Sequence, residues 1–294
     1  MKRSTATLIG FTAVLMWALL ALMSAASGRV PPFQLAAMTF LVGGLMGAVT
    51  WPFRKGAVLA LRQSWQVWLL GVAGLFGYHF VYFSAIRAAP AVEVSLIAYL
   101  WPLFLVVFSA FLPGERLRFH HIMGVALGLA GAVLIITRGK GLSLAEGFTV
   151  GHALAFLCSL IWSGYSVLSR RFGKVSTDVV AGFCLITALL SAICHLLFET
   201  TVWPADVTQW SAVFGLGLLP VGAAFYTWDY GVKHGDIMVL GASSYASPLL
   251  STLVLVAAGY AAFTWPVVAA CLLITLGAVI AAKDMLLKPV PEPT

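Results

Sequence analysis

The chain has 294 residues, of which 61% are hydrophobic and 9% charged, against about 25% charged in an ordinary soluble domain. A mean hydropathy of +1.00 over the whole length leaves no room for a sizeable polar domain and excludes a soluble globular protein. The formal charge of +7 comes from basic residues in short loops between apolar runs, not from the clustered face that nucleic acid needs, so no nucleic-acid partner is expected.

A bilayer-spanning helix takes about 20 apolar residues. Stretches of that order run Thr5 to Ser27, Phe33 to Phe53, Gln66 to Arg87, Ala91 to Leu112, His120 to Thr137, Phe148 to Ser169, Thr177 to Phe198, Thr208 to Gly231, Ile237 to Tyr260 and Thr264 to Ala282. Turn formers and charges separate them, such as Pro31-Pro32, Arg54-Lys55, Pro113-Gly114 and Arg170-Arg171. A barrel would alternate apolar and polar residues in segments of about ten; Val125 to Ile136 and Val267 to Ala282 are almost continuously apolar. The expected fold class is therefore all-α integral membrane, with ten transmembrane helices. Met1-Lys2-Arg3 and the following apolar run also resemble a signal peptide, but that run exceeds the 7 to 15 residues usual for one, so it reads as the first span.

Cys158, Cys184, Cys194 and Cys271 all fall inside apolar runs, where a thiol acts as a small packing residue; no disulfide, metal or cofactor is expected. His120-His121 has adjacent rather than metal-ligand spacing, and the chain lacks H-E-x-x-H, G-x-S-x-G and a P-loop. An enzyme and an ATP-driven pump are both excluded on these grounds. With the N-terminus inside, thirteen of the 17 Lys and Arg residues fall on the cytoplasmic side, among them Lys55 and Lys288, and only Arg29, Arg87, Arg138 and Lys140 outside. That places both termini in the cytoplasm of a multi-pass protein of a bacterial-type inner membrane, its lipid bilayer being the expected surround. A monomer is expected, with no soluble partner.

The halves of the chain repeat. Ala98-Tyr99-Leu100-Trp101-Pro102-Leu103 aligns with Ser244-Tyr245-Ala246-Ser247-Pro248-Leu249 at an offset of 146, Arg87 then falls on Lys233, and Trp17 meets Trp162 at an offset of 145. Residues 1–140 and 141–294 thus form two five-span repeats within one membrane domain. An odd number of spans makes the second copy enter from the other side, giving an inverted repeat, which is transporter architecture; the alternative is a duplicated scaffold that transports nothing.

The run Ala88-Ala89-Pro90-Ala91-Val92-Glu93-Val94, Tyr99-Leu100-Trp101-Pro102, Pro113-Gly114-Glu115-Arg116-Leu117 and the glycines of Gly124 to Gly131 resemble the EamA repeat of the drug/metabolite transporter superfamily. The aromatic stretches Tyr78-His79-Phe80-Val81-Tyr82 and Tyr99-Leu100-Trp101-Pro102 look most like its aromatic amino acid exporters. In the second copy the Gly-Glu-Arg-Leu signature is degenerate, with Gly259-Tyr260-Ala261-Ala262 near its place. The resemblance implies an alternating-access carrier with its substrate cavity between the third, fourth, eighth and ninth helices, flanked by the first and sixth.

Residue by residue, His79 is the most internal ionisable group, with Tyr78 and Tyr82 beside it; together they suit an amino acid head group and an aromatic ring, the alternative being a packed histidine bonded to backbone. Tyr99, Trp101, Trp17, Trp162 and Tyr245 are expected on the cavity wall. Ser243 and Ser244 either bind a zwitterion or serve close helix packing. Pro102 and Pro248 remove backbone hydrogen bonds at matching places and are expected as hinges. Arg87 and Glu93 are expected to pair, either as a gate or as a loop salt bridge. Asp229 is expected to pair with Lys233, four residues on, rather than to touch substrate. Gly43 with Gly47 and Gly124 with Gly128 read as close helix crossings. The function expected is export of amino acids, aromatic ones included, with facilitated diffusion favoured over proton exchange because His79 is the one central titrating candidate. The rival is a multidrug or organic-cation proton antiporter, which a buried mid-membrane carboxylate would favour.

Overall fold

A computed structural model describes residues 2–54, 56–140, 149–259 and 262–284 of the protein; Lys55, Lys288, Tyr260, Ala261 and the start of the second repeat at 141–148 lie outside them. The regular elements among the described residues are helical. In chain order they form α1 (Arg3–Ala26), α2 (Pro32–Phe53), α3 (Trp65–Ala88), α4 (Glu93–Ser109), α5 (Phe119–Ile136), α6 (Val150–Arg171), α7 (Val179–Phe198), α8 (Val207–His234), α9 (Ile237–Ala257) and α10 (Trp265–Ala281). Eight of these are long and apolar enough to cross a membrane; α4 and α10 are shorter. Their starts carry the expected signals: Pro32 and Pro266 sit in first turns, where a missing N–H costs nothing, and the Asp206 and Asp236 carboxylates cap α8 and α9.

The helices are interrupted where the two repeats correspond. Residues 99–100 break α4 and residues 244–245 break α9, in each case just before the proline at 102 or 248, whose ring clashes with the carbonyl four residues back. In α3 one π-helical turn covers Ala73–Gly77, and in α8 another covers Leu219–Ala223, again 146 apart. These π turns have no counterpart in the motif reading of the sequence. A further interruption at residues 18–19 in α1 has no equivalent in α6, which is continuous over Val150–Arg171.

Packing follows the repeat. α2 lies on α7, α4 on α9 and α5 on α10, while α1 packs on α8 and α3 on α6. Exchanging first-repeat helices for their counterparts returns the same set of pairs, as a pseudo-two-fold axis requires. The Arg3 guanidinium at the start of α1 and the Arg170 guanidinium at the end of α6 both reach Glu115, so these corresponding helices run in opposite directions. The tightest crossings are made by glycines, which let backbones approach. A Cβ on Gly124 would lie 2.5 Å from the Gly277 carbonyl oxygen, and one on Gly10 2.9 Å from the Gly231 Cα. The expected pairs separate by partner: Gly43 faces Gly222, Gly47 faces Tyr226, and Gly128 faces the Tyr245 ring. Large apolar side chains such as Leu8, Leu189, Leu196 and Leu272 are exposed on the perimeter, the arrangement lipid favours and water does not.

Gly124→Leu is therefore expected to force α5 and α10 apart and to lower the thermal midpoint of the detergent-solubilised protein by several degrees. Gly164 faces open space, so Gly164→Ala should give a midpoint at or above that of the unsubstituted protein.

Candidate functional site

The interruptions meet at mid-bundle and surround a floor of aromatic rings. Trp17, the last residue before the break in α1, lies 5.1 Å from Trp228, 5.8 Å from Trp162 and 6.3 Å from Trp101, measured between ring centroids. Phe225 joins at 6.4 Å and stacks on Phe40 at 5.5 Å. Above Trp162 stands Tyr78, 5.8 Å away, stacked in turn on Tyr82 at 5.8 Å and 8°. Trp101 and Trp162 are nearly buried, whereas Tyr78, His79, Tyr82, Tyr99 and Trp17 keep partial exposure. Edge-to-face and offset pairs of this kind hold rings in defined positions.

The π turns supply this floor with backbone acceptors. A π turn leaves carbonyls outside the regular α-helical ladder. The Trp17 indole N–H donates to the Pro220 carbonyl at 3.1 Å, and His79 Nδ1 lies 2.7 Å from the Leu75 carbonyl. His79 is thus held by its own helix, with its ring edge-on to Phe40 at 5.0 Å. The Trp228 indole donates to Ser166 Oγ at 3.0 Å, and Tyr82 and Ser95 exchange a long hydroxyl contact of 3.4 Å.

Other expected residues stand elsewhere. Tyr245 is fully buried against Gly128 in a separate core between α5, α9 and α10, because the break at 244–245 turns its ring away from the tryptophans. The Ser243 and Ser244 hydroxyls both donate to the Leu240 carbonyl of their own helix, so neither is offered to a ligand here. Arg87 and Glu93 do not pair. The Ala89-Pro90 turn separates them, Arg87 reaching Glu199 at 3.3 Å while Glu93 meets His152 at 2.6 Å. Asp229 does pair with Lys233, at 2.8 Å. Phe40, Phe225 and Tyr165 carry no signal in the motifs, and Trp228, which sequence places at the cytoplasmic close of the eighth span, belongs to the floor; the 146 offset places Phe225 opposite His79 and Trp228 opposite Tyr82, a signal that could have found two of them.

The two ends of the bundle are unequal. At the end where the chain starts, the Glu115 carboxylate takes hydrogen bonds from Arg3 at 2.8 and 2.9 Å and from Arg170 at 2.6 Å. Arg170 also donates to the Val232 and Gly235 carbonyls, and Arg3 reaches Asp236 at 3.2 Å. At that end all seven residues of Ile237–Ser243 are buried, as are seven of the eleven in Ala224–His234. The counterpart segment Tyr78–Ala88, at the opposite end, buries only Ala85, Leu20–Ala26 buries none, and Ala246–Ala257 buries only Ser247, Pro248 and Leu249. Helix segments are thus largely buried beneath the tryptophans, and the corresponding segments above them are largely exposed.

A membrane-embedded bundle of two matching halves with an aromatic floor at their junction invites comparison with known transporters. The model of the EamA-like transporter family matches residues 4–137 and again 149–282. The chain belongs to the EamA-like transporter family. Among curated relatives it is 55% identical over 282 residues to the aromatic amino acid exporter YddG of Ancylobacter novellus, covering 96% of this chain and 98% of that one. It is 26% identical over 272 residues to the aromatic amino acid exporter YddG of Escherichia coli K12, covering 86% and 88%. A solved crystal structure with 54% sequence identity superposes with a TM-score of 0.91 over 96% of this chain and 98% of the other. The protein is thus a multi-pass membrane transporter, and not an enzyme.

The unequal ends make a direct expectation. Cysteines placed at Tyr82 and Ser95, above the floor, should react with a water-soluble maleimide at least tenfold faster than cysteines at Val232 and Ser244 below it. Equal rates would show that the bundle is not shut at the end where the chain starts.

Proposed function

We propose that the protein exports amino acids, aromatic ones included, across a bacterial inner membrane by alternating access, and that Trp17, Tyr78, His79, Tyr82, Tyr99, Trp101 and Trp162 form its substrate basin. The observation that carries this reading is the tryptophan floor between interrupted helices, whose segments are largely buried at one end of the bundle and largely exposed at the other. Rings spaced 5 to 6.5 Å apart suit an aromatic or aliphatic side chain, and their faces attract an ammonium group. The name borne by the relative of 55% identity supports the same substrate class.

Ten spans in two inverted five-helix repeats, 1–140 and 141–294, supply the mechanism. Each repeat contributes one kinked helix, α4 or α9, and one π-turn helix, α3 or α8. Two oppositely oriented copies of one fold can exchange shapes, which shuts one end as it opens the other. Pro102 and Pro248 are the hinges. By the distribution of Lys and Arg the end that carries Arg3, Glu115 and Arg170 is cytoplasmic, so the arrangement described here faces outward, with the protein acting as a monomer. Glu115 is the latch of the closed end. Its counterpart in the second repeat is Ala261, and that of Arg170 is Ala25, so the second repeat has no residues of matching charge at these two positions. At the other end Arg87–Glu199 joins α3 to α7 and Glu93–His152 joins α4 to α6.

The drug-antiporter reading requires a carboxylate available to a cation. Asp229, next to Trp228 in sequence, is a buried carboxylate matched by the Lys233 ammonium and the Thr177 hydroxyl, and an acid with a basic partner beside it suits a zwitterion rather than a lone organic cation.

In proteoliposomes, flux of phenylalanine, tryptophan, threonine or methionine is expected to saturate and to be indifferent to a pH gradient. Gradient-dependent movement of aromatic cations with no amino acid flux would replace this reading with the antiporter. Trp101→Ala should raise the half-saturation for tryptophan at least tenfold while leaving threonine less affected. Glu115→Gln should speed maleimide labelling of a Val232 cysteine about tenfold, because weakening the charge-assisted hydrogen bonds from Arg3 and Arg170 releases the cytoplasmic end.

A further inference from the structure

Directly beneath the tryptophan floor, on the closed side, lies a small cavity whose lining is not explained by packing. Its volume is about 10 Å³, room for about one water molecule. Leu70, Phe172 and Phe183 provide apolar walls, and Tyr165, Asp229 and Lys233 provide polar ones. The Asp229 and Lys233 side chains are 2% and 3% exposed, so a charge pair is held almost wholly out of water. Lys233 Nζ donates to Asp229 Oδ2 at 2.8 Å and to the Val175 carbonyl at 3.1 Å, and Thr177 Oγ1 donates to Asp229 Oδ2 at 2.7 Å.

Two features set this pair apart from a structural ion pair. Replacing a buried pair with apolar residues is often neutral or stabilising, so stability alone does not account for this one at the end of α8, where it also meets Val175 and Thr177 of the loop between α6 and α7. Secondly, the Tyr165 hydroxyl lines the same cavity and belongs to a residue only 3% exposed, and the polar group it leans on is the Ser169 hydroxyl of the same wall, outside good hydrogen-bond geometry. A buried donor so poorly matched costs free energy, and it borders a space that a polar ligand could fill. The same tyrosine ring lies 5.3 Å from Trp162, which ties the cavity to the floor above.

We infer that this cavity is the collapsed remnant of a second, cytoplasmic-side binding site for the zwitterionic head group of an amino acid, with Lys233 and Tyr165 receiving its carboxylate and Asp229 its ammonium. The inference rests on the reading of the protein as an amino acid carrier and adds the site at which substrate is first taken up. Lys233 and Asp229 are spaced to bind opposite charges on one small molecule, and the walls of Leu70, Phe172 and Phe183 receive its side chain. When the site is empty the two charges satisfy each other, so the unloaded carrier closes without burying an unpaired charge. That self-neutralisation is what a carrier returning empty requires. When the cytoplasmic end opens, a zwitterion inserts between the two groups and substitutes for each as partner of the other. Passage to the tryptophan floor then needs a shift of about one helical turn along α8, since Trp228 adjoins Asp229 in sequence.

The test uses full-length protein in proteoliposomes, with L-phenylalanine and its amide, which lacks the carboxylate, as probes. Tyr165→Phe removes only a hydroxyl whose contact in the empty site is the poorly aligned one with Ser169, so its thermal midpoint should stay close to that of the parent protein. Its half-saturation for L-phenylalanine exchange should rise about tenfold, and that for the amide should stay unchanged. Asp229→Asn with Lys233→Met removes both charges together and should erase the preference for L-phenylalanine over its amide. If the double variant fails to fold, Tyr165→Phe decides alone. Parent-like half-saturation and selectivity in Tyr165→Phe would overturn the second site and leave the exporter reading intact. Absence of L-phenylalanine flux in the parent protein itself would overturn the exporter reading, and the second site with it.

Discussion

In a medium without water every backbone N–H and C=O must find its partner within the protein, and this constraint governs what the helices here can do. A span left regular is rigid and inert. A span interrupted at mid-membrane exposes polar backbone, which is tolerated only where other protein groups or a water-filled cavity receive it. The described chain interrupts α1, α3, α4, α8 and α9 and brings the interruptions together. The two π turns show the consequence: the carbonyls of Leu75 and Pro220 are taken by His79 and by the Trp17 indole, so the same features that loosen the helices fix the rings of the floor.

Around this centre the packing is layered by purpose. α2 on α7 and α5 on α10 are close, continuous pairs, the latter joined backbone to backbone at Gly124 and Gly277. They form a frame. The interrupted helices lie between these pairs and differ most between the two repeats, Tyr78–Ala88 being largely open where Ala224–His234 is largely buried. Two copies of one sequence pattern in two degrees of closure are what a rocking carrier needs at a given instant. The charge pairs follow the same division. Glu115 gathers Arg3 and Arg170 where the bundle is shut, and Glu199 ties the α2 start to α7 where it is open.

Much of this is legible in the amino-acid order because lipid imposes strong patterns. The apolar runs, the 146-residue offset and the prolines at 102 and 248 give the helices, the repeat and the breaks directly, and Trp17 with Trp162 emerges from the same alignment. What escapes is whatever depends on side-chain direction after a break. Tyr245 has the same sequence context as Tyr99 and yet is wholly buried in the core it forms with α5 and α10, where Gly128 leaves room for its ring, while Tyr99 lies at the edge of that core and keeps partial exposure. Ser243 and Ser244 read as ligands by composition, whereas a serine in a helix readily bonds the carbonyl one turn back, as both do. Arg87 and Glu93 are near in sequence but lie across a Pro90 turn that sends them to different helices. The π turns carry no motif of their own; only their recurrence at the same offset could have suggested them.

The central claim is that the two ends open in alternation about the tryptophan floor, and distances between spin labels measure it most directly. One pair of labels at Ile86 and Ala257 spans the open end, and another at Arg116 and Lys174 spans the closed end, all four sites being exposed. Addition of a saturating transported amino acid is predicted to shift both distributions in opposite senses, the first shortening as the second lengthens. If both distributions stay fixed, or move in the same sense while flux proceeds, the alternating account is wrong.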